Sequence, residues 1–345
     1  MTIESCFTRA WYRKFGWTHV FQPIQPLVRY FVANKRQNFL QGKTASYRAP
    51  VPVVVVGNIS VGGTGKSPMV VALCELLTAR GYKVGIISRG HGATLSKPQK
   101  VSADSLAEVV GDEPVMLARR TQCPMVVFPE RKKAIELLLE EHTLDVIISD
   151  DGMQHYALDR DIEIAMIDAQ RGLGNEKLLP VGPLREPKNR LNEVDFVVSI
   201  AQQQTASLRA LSQPVCVMPL TSDCLYSLDG KRQLACETAF LEPRQWHVMA
   251  GIGNPERFKQ TLTEKGLDEA MCTYQWFSDH HGFKASDIPS DKAVIMTEKD
   301  AVKCQALALN NSNIWYLPIS LALPDDFKKA FIAKLNSIKV EVTHE

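Results

Sequence analysis

The sequence has no apolar run long enough to cross a bilayer. Its longest N-terminal stretch without a formal charge, Phe15 to Val28, has 14 residues and includes His19, Pro23 and Pro26, whereas a spanning helix takes about 20 mainly apolar residues. No compact apolar core precedes a small-residue cleavage site, which argues against a secretory signal. The folded body is therefore expected to stay inside the cell. The eight cysteines form no CxxC pair and no metal-finger spacing. Several of them, such as Cys74 and Cys216, sit in apolar runs where a thiol behaves as a small hydrophobe, so reduced cysteines are expected. No internal repeat is visible.

At 345 residues the chain is too long for one small core and suits two domains. Its composition, 45% apolar and 23% charged, is that of an ordinary folded protein. A net charge of +2 hides an asymmetry. The first 50 residues carry eight Lys and Arg against Glu4 alone, a net +7, which leaves −5 for the rest. In this leader Trp11, Tyr12, Phe15, Trp17, Phe21, Tyr30, Phe31 and Phe39 are interleaved with the basic residues. Aromatic rings favour the headgroup region, and each Lys or Arg near an anionic leaflet contributes about 1 kcal/mol. The leader is thus either a reversible membrane-associating segment or an arm that packs its rings on the body. A nucleic-acid partner is not expected, because the basic excess stops at the leader.

After Pro50, short β-branched runs alternate with helical stretches. Residues 53–56, 84–88, 125–128, 146–149, 164–167 and 196–200 read as strands, and 66–80, 113–120 and 131–141 as helices. Nearly unbroken apolar strands indicate a parallel sheet covered on both faces, hence a doubly wound α/β domain. Polar residues 202–212 suggest a boundary. Residues 215–220 and 225–228, with the turn Asp229-Gly230, read as linking β-structure. A smaller α/β body follows, with strands near 247–251, 294–297 and 315–318 and helices near 255–265 and 325–338. The expected divisions are 1–48, 49–212, 213–232 and 233–345.

The strongest signal is Val53-Val-Val-Val-Gly-Asn-Ile-Ser-Val-Gly-Gly-Thr-Gly-Lys-Ser67, a strand, a glycine-rich loop and Lys-Ser opening a helix. Gly62, Gly63 and Gly65 let backbone N–H groups converge on an anion, and the helix adds its positive end. The segment Ser60, Val61, Gly62, Gly63, Thr64, Gly65, Lys66 and Ser67 is expected to hold ATP. Lys66 would bridge the β- and γ-phosphates and Ser67 would bind Mg²⁺. Ser60 stands where the usual pattern has Gly. Val146-Ile-Ile-Ser-Asp150-Asp151 is an apolar strand ending in two carboxylates, a fit for Mg²⁺ or for a turn cap. A guanine reader is missing, since Thr297-Glu298-Lys299-Asp300 has the wrong order. Val61 stands where membrane-cycling P-loop ATPases carry a second lysine.

Seven motifs occur in register. They are Gly57-Asn-Ile-Ser-Val-Gly-Gly-Thr-Gly-Lys-Ser-Pro68, Ser88-Arg-Gly-His-Gly92, Gly111-Asp-Glu-Pro114, Asp150-Asp-Gly-Met-Gln-His155, Leu179-Pro-Val-Gly-Pro-Leu-Arg-Glu-Pro187, Asp279-His-His281 and Thr297-Glu-Lys-Asp-Ala-Val-Lys303. Together they resemble the tetraacyldisaccharide 4'-kinase family from about residue 8 to 335. At position 91 that family has Tyr more often than His.

The resemblance implies a P-loop kinase that moves the γ-phosphate of ATP to the 4'-hydroxyl of a tetraacylated glucosamine disaccharide 1-phosphate, giving lipid IVA at the cytoplasmic face of the inner membrane. It implies that Asp112 and His280 form a catalytic dyad, a base worth about 10²–10⁴ in rate. Read alone, Asp112 is as easily a helix cap, and Asp279, His280 and His281 could be a partial metal site. It further implies that Asp150 and Asp151 are linked to Mg²⁺ and that Arg185 and Glu186 are active-site residues. Arg185 suits the transferring phosphoryl group. Arg89, Arg131 and Gln154 would face the headgroup, with an exposed helix-end charge as the other reading of Arg131. With His280 and Lys66 in different domains, hinge closure on ATP is expected. No obligate protein partner is implied. The competing readings are a phosphotransferase for a soluble molecule and a nucleotide-switched membrane adaptor.

Overall fold

A computed structural model describes residues 3–13, 16–90, 94–201, 211–241, 244–279, 281–305, 307 and 311–342. The chain packs as two units, each assembled from separated stretches. Met1–Arg89, Glu130–Leu220 and Leu321–Glu345 make the first, and Gly90–Pro129 with Thr221–Ser320 the second. These units do not coincide with the expected divisions at 49–212 and 233–345. Local periodicity reports which element forms but not which core receives it.

In the first unit six strands run parallel in the order Val84–Ser88, Val146–Asp150, Val53–Gly57, Ile162–Asp168, Phe196–Ile200 and Val215–Met218. The first four are buried along their full length, as unbroken β-branched and aliphatic runs require when both faces are covered. Helix Lys66–Thr78 buries Met69 to Cys74, Leu76 and Leu77. The C-terminal helix Asp325–Val342 also belongs here. Its Phe327 ring stands edge-on to Phe196 with centroids 5.1 Å apart. The expected linker strand 215–220 supplies the sheet's last strand.

The N-terminal leader is helical, with Ile3–Trp11, a 3₁₀ stretch Trp17–Ile24 and Gln25–Leu40. It is pinned through three side chains to one loop. Trp11 donates its indole N–H to Pro180 O (2.9 Å), Thr18 its hydroxyl to Val181 O (2.9 Å), and Gln25 its amide to Leu178 O (2.7 Å). The packed arm is therefore real for Trp11 and Thr18. Trp17, Val20, Leu27, Tyr30 and Phe31 are nevertheless more than half exposed. Among the described residues no helix is long and apolar enough to cross a membrane.

The second unit has a six-stranded mixed sheet in the order Gln233–Ala235, Cys224–Ser227, Ile314–Leu317, Ala293–Thr297, Trp246–Ala250 and Cys272–Trp276. The last four strands are parallel and the first two pair antiparallel. Asp229-Gly230 turns that hairpin, with Gly230 at φ +70 and the Asp229 carboxylate accepting from Ser227 (2.6 Å). A short antiparallel pair, Gln99–Val101 with Met125–Val127, belongs to the same unit and brackets helix Asp112–Thr121.

Candidate active site

Strand Val53–Gly57 feeds the glycine loop, and its neighbour Val146–Asp150 is in register so that Val56 lies opposite Asp150. Parallel pairing thus delivers the acidic pair beside the loop, as the strand-end pattern predicts. The loop curls through Gly62 (φ +104) and Gly65 (φ +80). At Gly65 the positive φ strains any other residue, and a Cβ there would also press on Ile200 Cδ1 at 1.8 Å. Gly63 has open space around it, and Thr64 Oγ1 is buried without a partner among the described residues. Ser60 pairs with Leu184 as an isolated bridge, and Val61 N–H donates to Pro183 O (2.9 Å). The loop is held open by the chain rather than collapsed on itself.

Lys66 reaches back over this curl, its Nζ 3.5 Å from Asn58 Oδ1 and 3.4 Å from Asp151 Oδ1. Asp151 itself takes a left-handed conformation (φ +48). Arg185 lies 3.4 Å from the same carboxylate and 3.4 Å from Gln154 Oε1, while its backbone N–H donates to Ile59 O (2.7 Å). Burial acts to raise the Asp151 pKa, but the Lys66 and Arg185 charges outweigh it and hold the carboxyl below its usual range. Asp150 is buried and accepts from Ser88 Oγ (3.1 Å). Ser67 is half-buried at the first turn of the helix.

The remaining expected residues of this unit divide by burial. Arg131 is buried, not an exposed helix-end charge. Its guanidinium donates to Asp150 O (3.3 Å), and burial lowers its pKa to about 10 against the pull of Asp150 and Asp151. Arg89 is exposed at the end of its strand. Gln154 donates to Asn58 O (2.9 Å) and to Glu186 Oε1 (2.7 Å). Glu186 is buried, accepts from the Tyr156 hydroxyl and lies 3.4 Å from Arg190 Nε. Arg190 in turn grips Glu163 at 2.5 Å. This chain of polar groups ties the Gln154 amide and the Glu186 carboxylate to the sheet, and none of Tyr156, Glu163 or Arg190 stands out in the sequence.

In the second unit, Gly111 (φ +97) precedes Asp112, which is the buried first residue of its helix. One Asp112 oxygen accepts from the next N–H, that of Glu113 (2.9 Å). The other lies 3.8 Å from Lys299 Nζ and 3.9 Å from Lys303 Nζ. Lys299 also reaches Glu113 (3.5 Å) and Asp279 (3.4 Å), and Lys303 is fixed by Asp300 (2.8 Å). Burial would lower the Lys299 pKa, yet Glu113, Asp112 and Asp279 together raise it. The two lysines lie four apart on one helix after a strand, a spacing that puts both on one face. That spacing was the available signal for them. His281 pairs with Asp287 (3.2 Å) and stacks on Phe277. His280, like His91, lies outside the described residues.

The groups fit a nucleoside triphosphate with magnesium. Bare glycine backbone and an ammonium suit phosphate oxygens, and two carboxylates with a hydroxyl suit a hard cation that shares its remaining positions with phosphate and water. Among the described residues no cluster of three or more His, Cys, Asp or Glu could hold a metal by itself.

Comparison with known proteins gives one consistent picture. The family profile described as Tetraacyldisaccharide-1-P 4'-kinase matches residues 17–336. A tetraacyldisaccharide 4'-kinase of Alcanivorax borkumensis is 43% identical over 327 residues, 94% of this chain and 95% of the relative. That of Ectopseudomonas mendocina is 45% identical over 323 residues, covering 92% and 93%. Among solved structures, the "apo" form of LpxK from Aquifex aeolicus in complex with ATP superimposes with a TM-score of 0.78 at 25% identity, covering 92% of this chain and 99% of that one.

Proposed function

This chain belongs to the tetraacyldisaccharide-1-P 4'-kinase family, and from that premise we propose the following reaction. The chain transfers the γ-phosphate of ATP to the 4'-hydroxyl of a tetraacylated glucosamine disaccharide 1-phosphate, giving lipid IVA in lipid A biosynthesis. The observation that carries this reading is Lys66 poised over a left-handed glycine curl, 3.4 Å from a strand-end carboxylate.

In this reading the backbone of Ser60 to Gly65 wraps the phosphates, Lys66 neutralises the β- and γ-oxygens, and the Ser67 hydroxyl with Asp150 and Asp151 holds magnesium. Magnesium, when bound, neutralises charge that builds on the transferring group. Arg185 leaves its 3.4 Å pairing with Asp151 to meet that charge. Asp112, with His280, takes the proton from the acceptor hydroxyl. Arg131 fixes the acidic turn through the Asp150 carbonyl. Arg89 faces the anionic headgroup, while Gln154 and Glu186 orient the sugar. The exposed Trp17, Leu27, Tyr30 and Phe31, beside the leader's basic residues, rest on an anionic membrane surface at its cytoplasmic side.

The test is phosphate transfer from radiolabelled ATP to detergent-dispersed lipid A disaccharide. Lys66→Ala, Asp112→Ala and His280→Ala are expected to lose roughly 10²-fold or more. Wild-type turnover on free sugars but not on the lipid would refute the acceptor. For the membrane surface, Tyr30→Ser/Phe31→Ser is expected to sediment less with anionic liposomes at an unchanged melting temperature. Undiminished sedimentation would remove that role.

A further inference from the structure

Arg171 is absent from every motif above, yet it reaches the phosphate loop. It follows strand Ile162–Asp168, which pairs with the loop's own strand so that Gly57 lies opposite Ala165. The Asp168 carboxylate accepts the backbone N–H of Gln170 (2.9 Å) and of Arg171 (3.1 Å), which fixes the turn after the strand. From there Arg171 Nη1 comes within 3.2 Å of the point where a Cβ on Gly62 would sit. The guanidinium therefore lies against bare backbone at one of the two left-handed positions of the curl. It also stands over the ring of Tyr12, 5.8 Å from the guanidinium carbon, which steadies it without neutralising it.

The contrast with the neighbouring arginines is informative. Arg185 pairs with Asp151, and Arg190 with Glu163. Arg171 is half-buried and forms no ion pair with a carboxylate among the described residues. A partly exposed guanidinium without a carboxylate partner is free to meet an anion that arrives with a ligand, and the adjacent N–H groups of Gly62, Gly63 and Gly65 call for the same kind of ligand.

We propose that Arg171 is an arginine supplied in cis to the transferring phosphoryl group of the bound triphosphate. The proposal rests on the kinase reading above. In the step, a bond forms between the acceptor oxygen and the γ-phosphorus as the bond from that phosphorus to the β–γ bridging oxygen breaks. The bridging oxygen leaves with the electron pair as part of ADP, and the acceptor proton goes to the Asp112/His280 base. Arg171 stabilises charge on the γ-oxygens, a role that elsewhere raises kcat by about 10³–10⁵. Tyr12 is a positioning residue that acts through Arg171.

The experiment compares Arg171→Ala, Arg171→Lys, Tyr12→Leu and Lys66→Ala for kcat, ATP KM and melting temperature in the full-length protein. Arg171→Ala is expected to lose roughly 10²-fold or more in kcat with ATP KM within about threefold. Arg171→Lys should recover part of this, as should free guanidinium ion added to Arg171→Ala. Tyr12→Leu should lower kcat in the wild type and leave it unchanged in the Arg171→Ala background. A kcat within about threefold of wild type, or a loss confined to KM, overturns the proposal. So does a loss that guanidinium does not relieve and that comes with a lowered melting temperature. If Lys66→Ala also turned over normally, the kinase reading of the loop would fail first.

Discussion

Asp151 and Asp112, one in each unit, are both flanked by two cations, but the cations differ in what else they hold. Around Asp151 the charges are Lys66 and Arg185, whose other neighbours are the neutral Asn58 and Gln154 amides. Around Asp112 they are Lys299 and Lys303, already committed to Glu113, Asp279 and Asp300. The first setting is cation-rich and holds the Asp151 carboxyl below its usual range. The second collects carboxylates around two ammoniums, so each cation at Asp112 is shared with other anions. Similar distances thus sit in different electrostatic settings, because the cations at Asp112 are shared with other carboxylates and those at Asp151 are not.

That contrast can be broken most directly at Asp112. Asp112→Asn is expected to lower kcat/KM by roughly 10²–10⁴ with no change in the magnesium requirement, measured by initial rates over a magnesium series. Asp151→Asn should instead raise the magnesium concentration for half-maximal rate by roughly tenfold or more. Equal magnesium behaviour of the two variants would erase the distinction. A smaller effect sharpens it. Lys299→Met removes a cation 3.8 Å from Asp112, so the acidic limb of the kcat/KM profile should move up by about one pH unit. Lys299→Arg should restore it, whereas a purely structural role would leave the limb in place.

The smallest effect concerns His155, four residues on from Asp151 and flanked by a different set of cations. Burial, with the charges of Arg131, Arg160, Lys35 and Arg89, pushes its pKa down from 6.5 to about 4. Below pH 6.5 the unfolded chain takes up a proton that the folded chain refuses until about pH 4. Stability is therefore lost as pH falls across that window. His155→Gln should flatten the fall by on the order of 1 kcal/mol, discounted because the ring is only partly buried. Chemical denaturation at pH 7 and pH 4.5 measures it.

Most of the first unit's site is legible in the chain because its chemistry is local. Glycines, Lys66 and Ser67 lie within one turn, and Asp150-Asp151 end an apolar strand whose place beside the loop follows from parallel pairing. Lys299 and Lys303 were within reach as well, four apart on one helix, but their target is Asp112, well over a hundred residues away in sequence. Arg171 could be suspected only from the rule that residues just past the ends of parallel strands converge. Nothing local distinguishes it from Arg160 or Arg190. Arg131 shows the limit from the other side. Its position at a helix start is legible, whereas its burial against the Asp150 carbonyl is not.

The chain by itself determined the phosphate loop, the acidic strand end and the α/β alternation, because each depends on neighbours a few residues apart. The tertiary structure alone decided that the C-terminal helix returns to the first unit, that residues 90–129 join the second, and that one loop is gripped by both the leader and the phosphate curl. Those outcomes depend on which distant surfaces bury each other, and burial is a property of the packed whole that no short window of sequence carries.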